Sequence, residues 1–154
     1  MSKSIIAGLL LLISFFALAE GNNEATDEEQ IKSAYSAYMK DFIADDFKGI
    51  ADKFTYPATF KIRLLSFIPL NITMDDKEQM SERYKALKAD IQEGYAYSTI
   101  DQITIEPIEG GYVADVIYSR FNAEDELIIT GRGNYSYENV NGSWKMYAVE
   151  PIND

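Results

Sequence analysis

Apolar residues recur at helical spacing after residue 26, and the first such run predicts a long amphipathic helix. Thr26 can act as the N-cap of this helix, and Glu29 stands at the third helical position, as in a capping box. The periodicity continues to about Ala44. The apolar residues that share one face of this helix are Ile31, Tyr35, Tyr38 and Phe42.

The second predicted helix is short. It begins at Asp45 or Asp46, since aspartate is a preferred N-cap residue. It ends at Tyr56-Pro57, because the residue before a proline is disfavoured in the α region. Its apolar positions are Phe47, Ile50 and Phe54.

A third helix is predicted to begin at Asp75 or Asp76, and Gly94 stands where the glycine that ends a helix belongs. The two aspartates match a helix start and not a calcium-binding loop, because no D-x-D-x-D-G spacing follows them. The apolar face of this helix consists of Met80, Tyr84, Leu87 and Ile91.

The other segments have the pattern of β-strands. One strand covers residues 58–67, and an extended piece follows Pro69 and runs to residue 74. After the third helix the chain is extended at residues 95–108, 112–121, 126–137 and 143–151. Turns separate these strands at Gly110-Gly111, at residues 122–125 and at Asn141-Gly142, which is the strongest hairpin signal.

This order of elements predicts one α+β domain, in which a curved antiparallel sheet carries the N-terminal helices on one face. Residues 27–154 form the predicted domain, and residues 20–26 are expected to be a disordered leader. A domain of this length can bury a hydrophobic core of its own.

The first nineteen residues match a secretory signal peptide. Lys3 supplies a positive start, residues 5–18 form an apolar run, and Ala17 and Ala19 place small residues before a cleavage site. The run is shorter than the roughly 20 residues that a membrane-spanning helix needs, and no other segment is long and apolar enough. We therefore expect export to the periplasm or beyond the cell and no stable membrane insertion. An uncleaved N-terminal anchor is the alternative.

Charge and missing residue types narrow the possible functions. The chain has 14 basic and 25 acidic residues and a net charge of −11, which disfavours binding to nucleic acids and to anionic lipid surfaces. It contains no histidine and no cysteine, so Ser-His-Asp triads, Cys-His pairs, histidine metal ligands and disulfides are excluded. We expect no metal and no cofactor, and any catalyst must use Asp, Glu, Tyr, Lys, Arg or Ser.

Several places in the chain carry patterns of one known superfamily. The first helix carries Tyr35 and Tyr38, and the second ends in Phe54-Thr55-Tyr56-Pro57. Residues 115–122 (DVIYSRFN) lead into a turn and another strand, and residues 141–146 (NGSWKM) open the last strand. With this order of elements, the domain resembles the nuclear transport factor 2-like superfamily, which includes SnoaL-like and ketosteroid-isomerase-like proteins.

The resemblance implies a cone in which the curved sheet and the long helix enclose a cavity. It implies no single function, because the superfamily contains isomerases, dehydratases, hydrolases, cyclases and proteins without activity. It places Asp115 roughly where ketosteroid-isomerase-like enzymes carry a pocket carboxylate, and it implies a possible homodimer through the outer face of the sheet. A cystatin-like sheet without a pocket is the main structural alternative.

Asp115 is the candidate catalytic acid or base. It lies in the middle of a predicted strand, and Val113 and Ile117 share its face. If that face is buried, desolvation raises the pKa of Asp115 and suits it to proton transfer. The alternative is an exposed aspartate, or one paired with an arginine of an adjacent strand.

Arginines and tyrosines are the candidate ligand-binding residues. Arginines on a concave face can hold a carboxylate or phosphate through two hydrogen bonds, and tyrosines combine an apolar ring with a polar tip. The alternatives are solvated arginines paired with acidic residues and tyrosines packed in the core. Glycines flank Arg132 on both sides, which indicates a bulge or a close backbone approach. A simple feature of the strand twist is the alternative. The candidates are Arg63, Arg120, Arg132, Tyr35, Tyr38, Tyr84 and Tyr118.

Three functions fit these features. The favoured one is a non-catalytic binding domain outside the cytoplasm, which holds a small hydrophobic or anionic ligand or a protein partner. The second is a SnoaL-like or ketosteroid-isomerase-like isomerase, dehydratase or hydrolase, with Asp115 as acid or base and a tyrosine as hydrogen-bond partner. The missing histidine counts against it. The third is assembly into a homodimer through the sheet.

Overall fold

The computed structural model describes residues 24–64 and 67–152, so the predicted signal peptide and the first residues of the leader lie outside the described residues. No helix within these ranges is long and apolar enough to cross a membrane. The elements in chain order are α1 (Asp27–Ile43), α2 (Phe47–Ala51), β1 (Phe54–Leu64), β2 (Ile68–Met74), α3 (Lys77–Ala89), β3 (Tyr97–Ile108), β4 (Gly111–Phe121), β5 (Leu127–Val140) and β6 (Ser143–Ile152).

The strands form one curved, open sheet in the order β2-β1-β6-β5-β4-β3. The helices pack on one face of it, and α1 contacts both β3 and β6. This arrangement confirms the predicted α+β fold. One pairing was not predicted: β1 and β6 are parallel, with Phe54 opposite Met146 and Phe60 opposite Val149. The four C-terminal strands are antiparallel neighbours in sequence, as expected.

The predicted helix starts are confirmed. The Thr26 hydroxyl accepts a hydrogen bond from the Glu29 N–H at 3.3 Å, and the Glu29 carboxylate accepts one from the Thr26 N–H at 2.8 Å. Asp46 caps α2, and Asp76 caps α3. These caps fix where each helix leaves the loop before it, and they therefore orient the helix faces that cover the sheet.

The second helix was predicted too long. It ends at Ala51, and Phe54 already belongs to β1, where it is buried opposite Met146. The apolar spacing of Phe47, Ile50 and Phe54 suits a helix, but pairing with β6 and burial of Phe54 favour the strand. β1 consequently begins four residues before the predicted start at residue 58.

The third helix also ends earlier than predicted, at Ala89, so Ile91 lies beyond it and Gly94 (φ +79°) belongs to the following turn. Pro69 lies inside β2 instead of before it. β2 is an edge strand, so the missing N–H of the proline does not interrupt a ladder on both sides.

The two faces of the sheet differ in what they contact. We call the face that the helices cover the inner face and the other the outer face. On β4, Ala114 and Val116 are fully buried on the inner face, and Tyr118 and Arg120 follow on the same side at period two. Asp115 therefore points to the outer face.

Candidate functional site

A cavity of about 270 Å³ lies between the inner face of the sheet, α1 and α3. Most of its wall is apolar or aromatic, and a few hydroxyl, amide and guanidinium groups interrupt it. This is the composition of small-molecule pockets, although the volume lies just below their usual range. The lining residues are Tyr38, Met39, Phe42, Phe60, Ile62, Arg83, Tyr84, Leu87, Asp90, Ile91, Gln92, Ser98, Tyr118, Arg120, Tyr135, Val149 and Pro151.

Two predicted site residues meet at the inner end of this cavity. The hydroxyls of Tyr38 on α1 and Tyr84 on α3 lie 3.0 Å apart and share a buried hydrogen bond. Burial raises the pKa of both phenols far above the usual range, so both remain protonated at neutral pH. Each hydroxyl therefore keeps a proton that it can donate.

Tyr35 lies in the core behind the cavity wall. It is fully buried, and its ring contacts that of Tyr135 edge-on, with centroids 4.7 Å apart. Burial raises the pKa of Tyr35, and it raises the pKa of Tyr135 to about 12. Tyr35 does not line the cavity, whereas Tyr135, which was not among the predicted site residues, does.

Glycines on β5 make room for two tyrosine rings of the cavity wall. A Cβ atom at position 131 would lie 2.6 Å from Cζ of Tyr118, and one at position 133 would lie 3.2 Å from the ring of Tyr135. The register of β5 with both neighbours is regular through this segment, so the glycines mark close approach and not a bulge.

Arg120 and Arg83 bring positive charge to the cavity from two different elements. Arg120 on β4 donates from Nη1 to Oε1 of Gln92 at 2.7 Å, and its guanidinium lies 5.1 Å from the ring centroid of Tyr118. Arg83 on α3 lies over the ring of Phe60 at 5.7 Å. The Nε atoms of both arginines are buried and have no hydrogen-bond partner among the described residues.

Asp115 and Arg132 form a pair on the outer face. Nε and Nη2 of Arg132 donate to the two carboxylate oxygens of Asp115 at 2.8 and 2.5 Å. This hydrogen bonding lowers the pKa of Asp115, so the raised pKa that acid–base work requires is not found there. The outer location also separates Asp115 from the cavity tyrosines.

Arg63 also lies on the outer face, where its side chain is largely exposed and stands 3.8 Å from the Glu150 carboxylate. Neither Arg63 nor Arg132 lines the cavity with Tyr38 and Tyr84, but Arg132 borders a neighbouring hollow together with Tyr118 and Arg120. Within residues 24–64 and 67–152, no group of acidic side chains is placed to hold a metal ion.

Sequence reasoning missed Arg83, Gln92 and Tyr135. Arg83 follows Met80 by three positions and precedes Leu87 by four, so helical periodicity could have placed it beside the apolar stripe of α3. Tyr135 alternates with outer-face positions of β5, a period-two signal that could also have been read. Gln92 lies in a loop, where no periodicity indicates its direction.

Residues 27–154 match the family described as NTF2-like protein (DUF6841). No protein of curated function matches the sequence. Solved structures share the fold. A protein of unknown function with a cystatin-like fold from Nostoc punctiforme has a TM-score of 0.66 and 13% identity, over 85% of this chain and 95% of that one.

Two further solved structures are similar in the same way. An NTF2-like protein of unknown function from Pseudomonas putida has a TM-score of 0.63 and 12% identity, over 82% of this chain and 86% of that one. The protein Aln2 from a Streptomyces species has a TM-score of 0.62 and 18% identity, over 81% of this chain and 88% of that one. At these identities the likeness shows the fold alone.

Proposed function

Because this chain belongs to the NTF2-like protein family (DUF6841) and encloses a cavity under its helices, we propose that it binds a small, partly apolar molecule there. The observation that carries the proposal is the wall of the cavity. Aromatic and aliphatic side chains cover most of it, while the Tyr38 and Tyr84 hydroxyls and the Arg120 guanidinium supply directed hydrogen bonds. Such a wall favours a ligand with an apolar body and one polar end.

The chemistry of the cavity supports binding without turnover. Among its lining residues the only carboxylate is Asp90, which is exposed. The tyrosine pKa values are raised, so Tyr38 and Tyr84 do not act as bases near neutral pH. The alternative of an isomerase, dehydratase or hydrolase that uses Asp115 gains no support from the outer-face position of that residue.

The proposed place of action is outside the cytoplasm. The support is the pattern of residues 1–19, which combines a positive start, an apolar run and small residues before Glu20. Expression of the full chain in a bacterium, followed by intact-mass measurement of the periplasmic fraction, is expected to give a protein that begins at Glu20. An uncleaved mass in the membrane fraction would contradict this.

The binding proposal is tested by blocking the cavity from α3. Leu87→Trp places an indole in the cavity wall, and Lys85→Trp places the same indole on an exposed site of the same helix. Isothermal titration with 2-naphthol and 2-naphthoate is expected to show binding to the unmodified protein and to Lys85→Trp, and loss of binding in Leu87→Trp.

Circular dichroism of both variants checks that the fold is intact. If the unmodified protein binds neither probe, or if Leu87→Trp binds as well as Lys85→Trp, the cavity is not the binding site and the proposal is wrong.

A further inference from the structure

The donors of Arg120 are only partly used. A guanidinium group offers five N–H donors. The partner of Arg120 is the neutral amide oxygen of Gln92, and its buried Nε donates to nothing among the described residues. The aromatic ring of Tyr118 stabilises the charge from one side but accepts no regular hydrogen bond. Arg120 thus keeps donor capacity for a further acceptor.

Arg83, on the facing helix α3, also has unused donors. Its buried Nε also lacks a partner among the described residues, and the ring of Phe60 lies under its guanidinium. Arg83 and Arg120 reach the cavity from α3 and from β4, so the space between these elements lies within the field of both charges.

Neither arginine has an acidic partner among the described residues. In a chain with 25 acidic and 14 basic residues, the outer-face arginines Arg132 and Arg63 each have a carboxylate within 4 Å. Within the described part of the chain, no acidic side chain forms a salt bridge with Arg83 or Arg120. Partly buried charges without a counter-charge are costly, and an anionic ligand removes this cost.

We propose that the ligand of the cavity is a carboxylic acid with an apolar body, and that Arg120, assisted by Arg83, binds its carboxylate. This inference rests on the proposed binding function. A carboxylate matches the two-pronged geometry of guanidinium. A dianion such as a phosphate monoester fits less well, because the wall is mostly apolar and Asp90 adds a negative charge at its edge.

The test compares two probes of equal shape, 2-naphthoate and its neutral amide 2-naphthamide, titrated into the purified protein at neutral pH by calorimetry. The carboxylate is expected to bind about tenfold more tightly or better, because hydrogen bonds to ionised groups are the stronger class. Added salt is expected to weaken the binding of 2-naphthoate and to leave the binding of 2-naphthamide unchanged.

Variants then identify the groups responsible. Arg120→Gln and Arg83→Gln are each expected to lower the affinity for 2-naphthoate, by about tenfold in the case of Arg120→Gln. The affinity for 2-naphthamide is expected to change little. Arg120→Lys keeps the charge and is expected to restore part of the loss. Arg63→Gln is the matched control: it removes the same charge from the outer face and is expected to leave both probes unaffected.

The outcomes separate the two proposals. If both probes bind equally well, or if Arg63→Gln weakens 2-naphthoate as much as Arg120→Gln does, carboxylate recognition is overturned and the cavity function stands. If neither probe binds but 2-naphthol does, carboxylate recognition is overturned and the cavity function stands. If 2-naphthol does not bind either, the cavity function fails and this inference fails with it. Should Arg120→Gln not fold, Arg120→Lys and Arg83→Gln decide the same question.

Discussion

The arginines on the inner and outer faces of the sheet differ in their partners. Arg132 on β5 points outward and donates to both oxygens of Asp115. Arg120 on the neighbouring β4 points inward, where its partners in the described part of the chain are the neutral amide of Gln92 and aromatic rings. The outer arginine is neutralised by the protein itself. The inner one keeps an Nε–H that is unpaired among the described residues. The comparison shows that an arginine's partners, and not its residue type, decide whether it remains available to a ligand, as we propose for Arg120.

The largest expected effect is the loss of stability at high pH, when the buried tyrosines of the inner face ionise. Burial raises the pKa of each of them, to about 12 for Tyr135, while an unfolded tyrosine has a pKa of about 10. A raised folded-state pKa gives stability that is complete below pH 10 and is lost as the pH rises through the folded value. The tyrosines concerned are Tyr35, Tyr38, Tyr84, Tyr135 and Tyr137.

Above pH 10, each such tyrosine lowers the free energy of unfolding by about 1.4 kcal/mol per pH unit. All five together lower it by about 7 kcal/mol per pH unit. Whole domains are stable by about 5–15 kcal/mol, so we expect cooperative unfolding within about two pH units above pH 10. Circular dichroism and tyrosinate absorbance, followed together against pH, are expected to change in one step. Stepwise ionisation with an intact fold would mean that the tyrosines are not buried as described.

The next largest effect is expected from a substitution in the cavity wall, beside Tyr118. Gly131→Ala places a methyl group 2.6 Å from Tyr118, whose half-buried ring lines the cavity and must move to relieve the clash. We expect about a tenfold loss of 2-naphthoate affinity, measured by calorimetry, with an unchanged circular dichroism spectrum. Ser136→Ala on the outer face of the same strand is the control. Equal 2-naphthoate affinity in both variants would show that Tyr118 does not contact the bound ligand.

Helical periodicity and turn residues predicted much of the fold, because they are local. The capping box at Thr26 and the Asn141-Gly142 turn (φ +52° and +85°) are each determined by neighbouring residues. The parallel pairing of β1 with β6 was not predictable in this way, since it joins segments about ninety residues apart. Local periodicity therefore predicts a helix at Phe54, which lies in β1.

The site was predictable only in part, for the same reason. Helix faces indicated that Tyr38 and Tyr84 point inward, but their hydrogen bond depends on how α1 and α3 cross. The face of Asp115 required the register of the sheet, because a shift of one residue exchanges the two faces. Homodimer formation through the outer face stays a prediction, which light scattering can test.

The smallest expected effect comes from the outer pair itself. Asp115→Asn removes the charge that Arg132 holds, and exposed ion pairs of this kind contribute about 0.2–1 kcal/mol. The folded-state pKa of Asp115 is lowered, so its contribution is present above the unfolded value of about 3.9 and is lost as the pH falls through the folded value. Urea unfolding at pH 7 is expected to show this small loss in Asp115→Asn, and near pH 3 the difference from the unmodified protein is expected to shrink. Affinity for 2-naphthoate is expected to stay the same at pH 7, because the pair lies on the face opposite the cavity. A large loss of affinity would instead mean that the two faces are coupled, and that Arg132 is positioned for the ligand as well as for Asp115.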